Sequence, residues 1–375
     1  MGCTVIGSGK AVPRKIVSND DLAKLVDTSD EWIVQRTGIH NRRIAIEESS
    51  TDLASAACLA AMGSHAEESS TAVLPEAAGW SKIPVDPASI DLLICMTITP
   101  DTTIPSQASL VKMALGLDNA IAFDLNAACS GCVYGINVAE SMMAASHIAG
   151  GAIGNKINRA LVVGVERLSR ITDWTDRATC VLFGDGAGAV LLEWNENKKG
   201  ILSTFMKNTD DVDMTLRRTN LFNNETFPFG PADAAVMPFE DTDFIGMNGQ
   251  AVFKFAGNAL AEAINTVLDR AQFNLDDVSC IVPHQANERI IKYAAKRMGL
   301  PLERFQVSIA HRGNSSSACI PMTLCDAYES GNTSAASALM ALCDAYRADR
   351  INENDAVIMS GFGGGLTSGA VLFIA

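Results

Sequence analysis

An α/β fold of two similar halves is predicted by three features of the sequence. Strand-like apolar runs alternate with helical periodicities along all 375 residues, the signature of βα units and mostly parallel sheets. The order of parts in residues 1–195 recurs in residues 196–375. Hydrophobic residues make up 48% and charged residues 19%, ample for a core shared by two such halves.

The elements follow in chain order. "MGCTVIGSGKAVP" reads as a buried first strand. It lacks the basic start and long apolar stretch of a signal peptide, and it matches a myristoylation start only at Gly2, because Ile6 stands where Ser or Thr is needed. "IDLLICMTITP" (90–100) matches "VSCIVPHQAN" (278–287), each an apolar strand with polar residues at its end. "AIAFDLNAACSG" (120–131) matches "FQVSIAHRGNSS" (305–316). Both are expected to be a strand running into small residues that open a helix, with Asn314 in the place of Cys129. Helical periodicity covers 133–149 and 252–273, and 160–165 and 356–361 read as buried strands. "FGDGAGAVLL" (183–192) and "FGGGLTSGAVLF" (362–373) are each a glycine-rich turn followed by a strand. Three stretches look inserted: 63–84, 148–158, and 204–244, the last suiting a surface lobe or lid.

A tighter repeat lies inside the second half. Residues 313–328 recur at 331–346, ending both times in Cys-Asp-Ala-Tyr. The offset of 18 residues is five turns of helix at 3.6 per turn, a length an added helix can absorb without rotating its apolar face.

Charge and cysteine content narrow the function. A formal net charge of −14 argues against nucleic acid and against an anionic membrane surface, and no apolar run reaches the roughly 18 residues of a span. The ten cysteines, mostly in apolar surroundings, fit small core residues in a reducing cytosol and hence a cytoplasmic protein.

Cys129 stands out among them. A cysteine at a strand-to-helix turn faces the positive end of the helix dipole, which favours thiolate, and its small neighbours leave room for a substrate. A packed small residue, or a redox pair with Cys132 in a C-x-x-C, are the alternatives. A nucleophilic cysteine needs a partner. Of five histidines, His284 ends an apolar strand and precedes a helix; His311 is weaker, and His40, His65 and His147 read as solvated or structural. "FGGG" (362–365) offers backbone N–H groups free to approach a reacting carbonyl. On "NERIIKYAAKR", Arg289, Lys292, Lys296 and Arg297 form one helical stripe beside His284.

"TSDEWIVQRTGI" (28–39), "NAACSG", "FGDGAGAV", "VPHQAN", the two Gly-Asn-[Ser/Thr]-Ser stretches and "FGGG" occur in order. Together they resemble β-ketoacyl-acyl carrier protein synthase III, a thiolase-fold condensing enzyme. The resemblance implies a thiolase-like five-layer αβαβα fold of two pseudo-symmetric halves and a homodimer. It implies that Cys129 takes an acyl group, acetyl above all, from coenzyme A, and that malonyl-acyl carrier protein then loses CO2 while His284 and an Asn stabilise the enolate. The N–H groups of Cys129 and Gly364 hold the oxyanion. Trp32 and Arg177 sandwich adenine, Arg36 meets phosphate, and Asn287 binds the pantetheine arm. The stripe Arg289, Lys292, Lys296 and Arg297 docks the acidic carrier protein. Ile104 lines the acyl pocket of the partner subunit and leaves the starter chain open. No metal or cofactor is implied, since the coenzyme A thioester is a substrate. A secondary-metabolite acyltransferase with an unusual primer, or a dead scaffold, are the rival readings.

The branch shows one Gly-Asn-Thr-Ser-Ala-Ala-Ser-Ile-Pro stretch, and this chain carries two, giving Asn314 and Asn332. Spacing to His284 favours the first, and spacing to the glycine-rich turn favours the second. A strand feeding directly into Asn314 decides for Asn314.

Overall fold

The computed structural model describes residues 1–64, 75–148, 155–198, 200–218, 244–329 and 351–375. Two sheets organise the chain. The first has the order β4-β1-β8-β7-β5-β6, from β1 (Gly2–Val12), β4 (Glu76–Ser81), β5 (Leu92–Met96), β6 (Ile121–Leu125), β7 (Arg159–Glu166) and β8 (Gly186–Asn195). The second has the order β12-β13-β14-β9, from β9 (Ile201–Asn208), β12 (Val278–Pro283), β13 (Ala356–Gly363) and β14 (Thr367–Ile374). Strand β5 runs parallel to β7, and β7 antiparallel to β8. Likewise β12 runs parallel to β13, and β13 antiparallel to β14. The internal repeat is thus a repeat of strand pairing. Two short ribbons, β2 (Lys15–Ser18) with β3 (Asn41–Ile44) and β10 (Leu216–Arg217) with β11 (Gly246–Met247), lie apart.

Helices complete five layers. Helices α3 (Ser50–Ala61) and α4 (Gln107–Leu115) cover the outer face of the first sheet. Helices α7 (Gly249–Ala271) and α8 (Glu288–Met298) cover the outer face of the second. Between the sheets lie α5 (Gly131–His147) and α9 (Cys319–Glu329). A helix enclosed on both sides should be apolar nearly all round, and α5 is, burying Cys132, Val133, Ile136, Ala139 and Met143 in a core that also takes strands from both sheets. Strands β5 and β7 are buried along almost their whole length, as covered parallel strands must be. Short helices α1 (Asn19–Leu22), α2 (Asp30–Thr37) and α6 (Arg177–Cys180) build the edge that carries Trp32.

Three expectations are corrected. "FQVSIA" forms no strand: Phe305 makes one parallel bridge to Ile281, and the chain then turns through Ile309–His311. Gln306 N–H donates to Ile281 O, so a single rung stands where the first half has β6. The stretch 204–244 begins as β9 and includes the cavity-lining β10, while 219–243 lie outside the described residues. The stretch 63–84 is more than a polar insertion. Its β4 pairs antiparallel with the edge of β1, and Trp80 stacks on Tyr328 of α9 at 4.0 Å and 2°.

That stack helps seat the first copy of the tandem repeat. Asp326 accepts from Lys10 at 2.7 Å and from both guanidinium nitrogens of Arg312 at 2.6 and 2.7 Å. Burial pushes the Asp326 carboxyl up, but Arg312 and Lys10 outweigh it and hold the pKa to about 2. The second copy, 331–346, lies outside the described residues, and Asn332 with it.

Candidate active site

Two turns, one from each half, meet between the sheets. In the first, Asn126 Oδ1 accepts from Ala128 N at 3.2 Å, Ala128 takes φ +44°, and a short 3-10 turn over Ala128–Ser130 opens α5. In the second, Asn314 Oδ1 accepts from Ser316 N at 2.9 Å, Ser316 takes φ +49°, and a 3-10 turn over Ser316–Ala318 opens α9. Non-glycine residues at such angles are uncommon and strained, so their recurrence marks one turn used twice. The expected correspondence is therefore shifted. Asn314 matches Asn126, and the counterpart of Cys129 is Ser317. Ser317 Oγ lies 2.9 Å from both Glu166 Oε1 and Met96 O, sharing its one hydroxyl proton with them, and is spent on structure.

Asn314 is held by the first half, not by a strand of its own. Its N–H donates to Leu182 O at 2.9 Å, and its C=O accepts from Gly184 N at 3.0 Å. With Oδ1 taken by Ser316, the Nδ2 donors are left for the cavity that Asn314 lines. His284 follows β12, anchored by its N–H to Ser360 O at 2.8 Å. Its ring meets Phe362 edge-on at 4.9 Å and 70°, and Nδ1 contacts Cys319 Sγ at 2.7 Å. Burial drives the imidazole pKa down to about 3, so the ring is neutral.

Cys129, His284, Asn314 and Gly364 line one cavity of about 370 Å³, walled by apolar residues including Leu216 and Phe253. The "FGGG" hairpin closes it against the cysteine. A Cβ on Gly363 would lie 2.7 Å from Cys129 N, so only glycine allows this approach. Thr367 Oγ1 fastens the hairpin, bonding Ala127 O at 3.2 Å and Ser130 Oγ at 3.1 Å. Burial works against the expected thiolate. Burial pushes the Cys129 thiol up to about 12, with the Ser316 hydroxyl and the residue's own N–H working the other way. Desolvation outweighs the field of the helix start. Cys132 points into the core between the sheets while Cys129 lines the cavity, so the two sulfurs of the C-x-x-C face different surroundings.

A wider recess adjoins the cavity, sharing Arg217, Phe253 and Asn287 with it and adding Arg36 and Arg289. The Arg177 guanidinium sits 4.9 Å over the Trp32 ring, and Arg36 6.0 Å from it. A base held between Trp32 and Arg177 needs roughly 7 Å, twice an ordinary van der Waals separation, so Arg177 must swing away to admit one. Asn287 caps α8 through Arg289 N at 2.9 Å and donates to Arg36 O at 3.0 Å, tying α8 to α2. Arg289, Lys292, Lys296 and Arg297 are all exposed on α8, opposite its buried Ile290, Ile291, Ala294 and Ala295. Lys292 shares its charge with Glu288 at 3.0 Å. Ile104 is 90% exposed and does not line the cavity of its own chain.

Sequence reasoning missed Cys319, Ser317 and Glu166. Glu166 is a buried carboxylate that accepts from Thr99 Oγ1 at 2.6 Å, Ile98 N at 3.1 Å and Ser317, knitting strand ends of the first sheet to the second turn. Burial raises its pKa. A signal existed for two of them, since Ser317 and Cys319 stand where the resembling stretch has Ala and Ser.

Known proteins carry the same plan. The family model described as 3-oxoacyl-[acyl-carrier-protein] synthase III matches residues 123–210, and its C-terminal companion matches 268–331 and 328–374, breaking where the first repeat copy ends. The β-ketoacyl-[acyl-carrier-protein] synthase III of Rhizorhabdus wittichii is 38% identical over 368 residues, covering 98% of this chain and 97% of its own. That of Clostridium acetobutylicum is 36% identical over 373 residues, covering 98% and 97%. The crystal structure of 3-oxoacyl-[acyl-carrier-protein] synthase III from Aquifex aeolicus superposes with a TM-score of 0.77 at 35% identity, covering all of both chains. With its two matched turns, its cavity lined by cysteine, histidine and asparagine and these relatives, the chain belongs to the 3-oxoacyl-[acyl-carrier-protein] synthase III family.

Proposed function

We propose that the protein condenses an acyl-coenzyme A primer, acetyl-coenzyme A first among candidates, with malonyl-acyl carrier protein, the opening step of fatty acid synthesis. The observation that carries this is the convergence of Cys129, His284 and Asn314 on one cavity closed by Gly363 and Gly364. Cys129 Sγ attacks the primer carbonyl; its proton goes to the departing coenzyme A sulfur, leaving an acyl thioester on the enzyme. Malonyl-acyl carrier protein then loses CO2, and the electron pair of the broken C–C bond moves onto its thioester oxygen. Neutral donors at His284 and Asn314 stabilise that enolate without handing it a proton. The α-carbon attacks the Cys129 thioester, the N–H groups of Cys129 and Gly364 hold the tetrahedral oxyanion, and collapse frees the cysteine.

Trp32, Arg36, Arg177 and Asn287 hold coenzyme A along the outer recess, and the exposed stripe on α8 receives the acidic carrier protein. Strand β6 leaves an open sheet edge with Ile121 43% exposed, which supports pairing with a second copy in a homodimer. Exposed Ile104 then serves the partner's acyl pocket. No described helix is long and apolar enough to cross a membrane.

Intact-mass measurement after incubation with a panel of acyl-coenzyme A donors tests the reading. An acyl adduct is expected with at least one donor, absent in Cys129→Ala. No adduct with any donor overturns it.

A further inference from the structure

One nitrogen of His284 faces the protein, and what it meets there decides what the other offers to substrate. We propose that Cys319 is a positioning residue that holds His284 as its Nε2–H tautomer, so the ring presents a proton donor and not a lone pair to the cavity. For its use in catalysis this rests on the condensation proposed above; the tautomer itself does not.

Three observations carry it. Nδ1 and Cys319 Sγ are 2.7 Å apart, a contact that requires one proton between them. The Gln285 N–H already points at the same sulfur at 3.4 Å. If Nδ1 also donated, the sulfur would receive two hydrogens in a buried site while its own thiol proton was displaced from the contact. A thiol donating to Nδ1 satisfies all three groups. Burial also works against an imidazolium–thiolate pair: it raises the Cys319 thiol well above its ordinary value and lowers the imidazole to about 3. The edge contact with Phe362 opposes turning the ring over, and the main-chain bond from His284 N–H to Ser360 O fixes the backbone that carries it.

The consequence is a division of labour. A ring with Nε2–H is ready for the enolate oxygen and cannot take the proton of Cys129. Loss of the Cys319 donor should therefore impair decarboxylation of malonyl-acyl carrier protein and leave acyl transfer to Cys129 alone. Serine at 319, the residue of the resembling stretch, keeps a donor.

The test is ¹⁵N NMR of histidine-labelled protein. The wild type should show His284 with an unprotonated Nδ1 and a protonated Nε2, Cys319→Ser the same, and Cys319→Ala a shift toward mixed tautomers. In Cys319→Ala, kcat for malonyl decarboxylation should fall about 10- to 100-fold, as is usual when the orienting partner of a functional histidine is lost, with KM and Cys129 acylation little changed. Cys319→Ser should restore it. A protonated Nδ1 in the wild type overturns the proposal without need of any variant, as does an unaltered tautomer in Cys319→Ala. Because the tautomer is read on the resting protein, it is judged separately from the condensation, whose own failure shows as no malonyl decarboxylation in the wild type.

Discussion

The turns at 126–131 and 314–319 share a backbone and differ in which residue works. Both bend an asparagine side chain onto the amide two residues on, and both pass through a left-handed residue into a central helix. In the first, the fourth position (Cys129) lines the cavity; in the second, the first position (Asn314) does, and the fourth (Ser317) is tied to Glu166. A duplicated turn thus supplies two ready-made presentation sites, and the proposed condensation uses a different one in each half. The nucleophile needs the start of a helix and adjacent free amides; the enolate needs only a fixed neutral donor.

The largest effect should come from erasing the difference. Cys129→Ser makes the first turn chemically like the second, and the acyl adduct should vanish from the intact-mass spectrum. Asn314→Ala removes the working position of the second turn: malonyl decarboxylation should fall about 10²- to 10³-fold while Cys129 still acylates. Asn332→Ala should change neither rate, and the reverse pattern would move the enolate site to the second repeat copy. Acylation of Cys129 followed by stopped-flow should rise about tenfold per pH unit below 9, because the thiolate fraction of a thiol with a pKa of about 12 grows at that rate; a plateau near pH 7 would mean a thiolate at rest.

The second turn also hangs on an ion triad that the first lacks. Asp326→Asn removes the buried carboxylate that Lys10 and Arg312 share and should cost about 3–5 kcal/mol in denaturant unfolding. The folded carboxyl pKa, about 2, lies below its ordinary 3.8, so the stabilisation is full above about pH 4 and is lost as pH falls through 2. The smallest effect belongs to the surface. Reversing charge at Arg289 and Lys296 should raise KM for carrier protein several-fold with kcat for decarboxylation of a small malonyl thioester unchanged; an equal loss on both would assign α8 to the scaffold.

Much of this was legible because periodicity reports burial. The strands at 160–165 and 356–361 and the helices at 133–149 and 252–273 all exist, within a few residues, since each is a long element with an unambiguous apolar pattern. "FQVSIA" misled for the opposite reason: six residues of mixed polarity fit a strand, but only Phe305 finds a rung. Cys129 and His284 announced themselves by position after strands. The register of Asn314 against Cys129 did not, because left-handed backbone at Ala128 and Ser316 leaves no trace in residue type. Nor could spacing reveal that desolvation would win at the sulfur, since burial is a property of the assembled halves.

That burial has a further bearing on how the enzyme fails. Peroxide and small alkylating reagents attack thiolates, and a thiol that burial pushes up to about 12 in a largely apolar cavity gives them little to attack. Selective inactivation therefore calls for an electrophile shaped to enter the chamber and be held there, with potency set by fit and not by warhead reactivity.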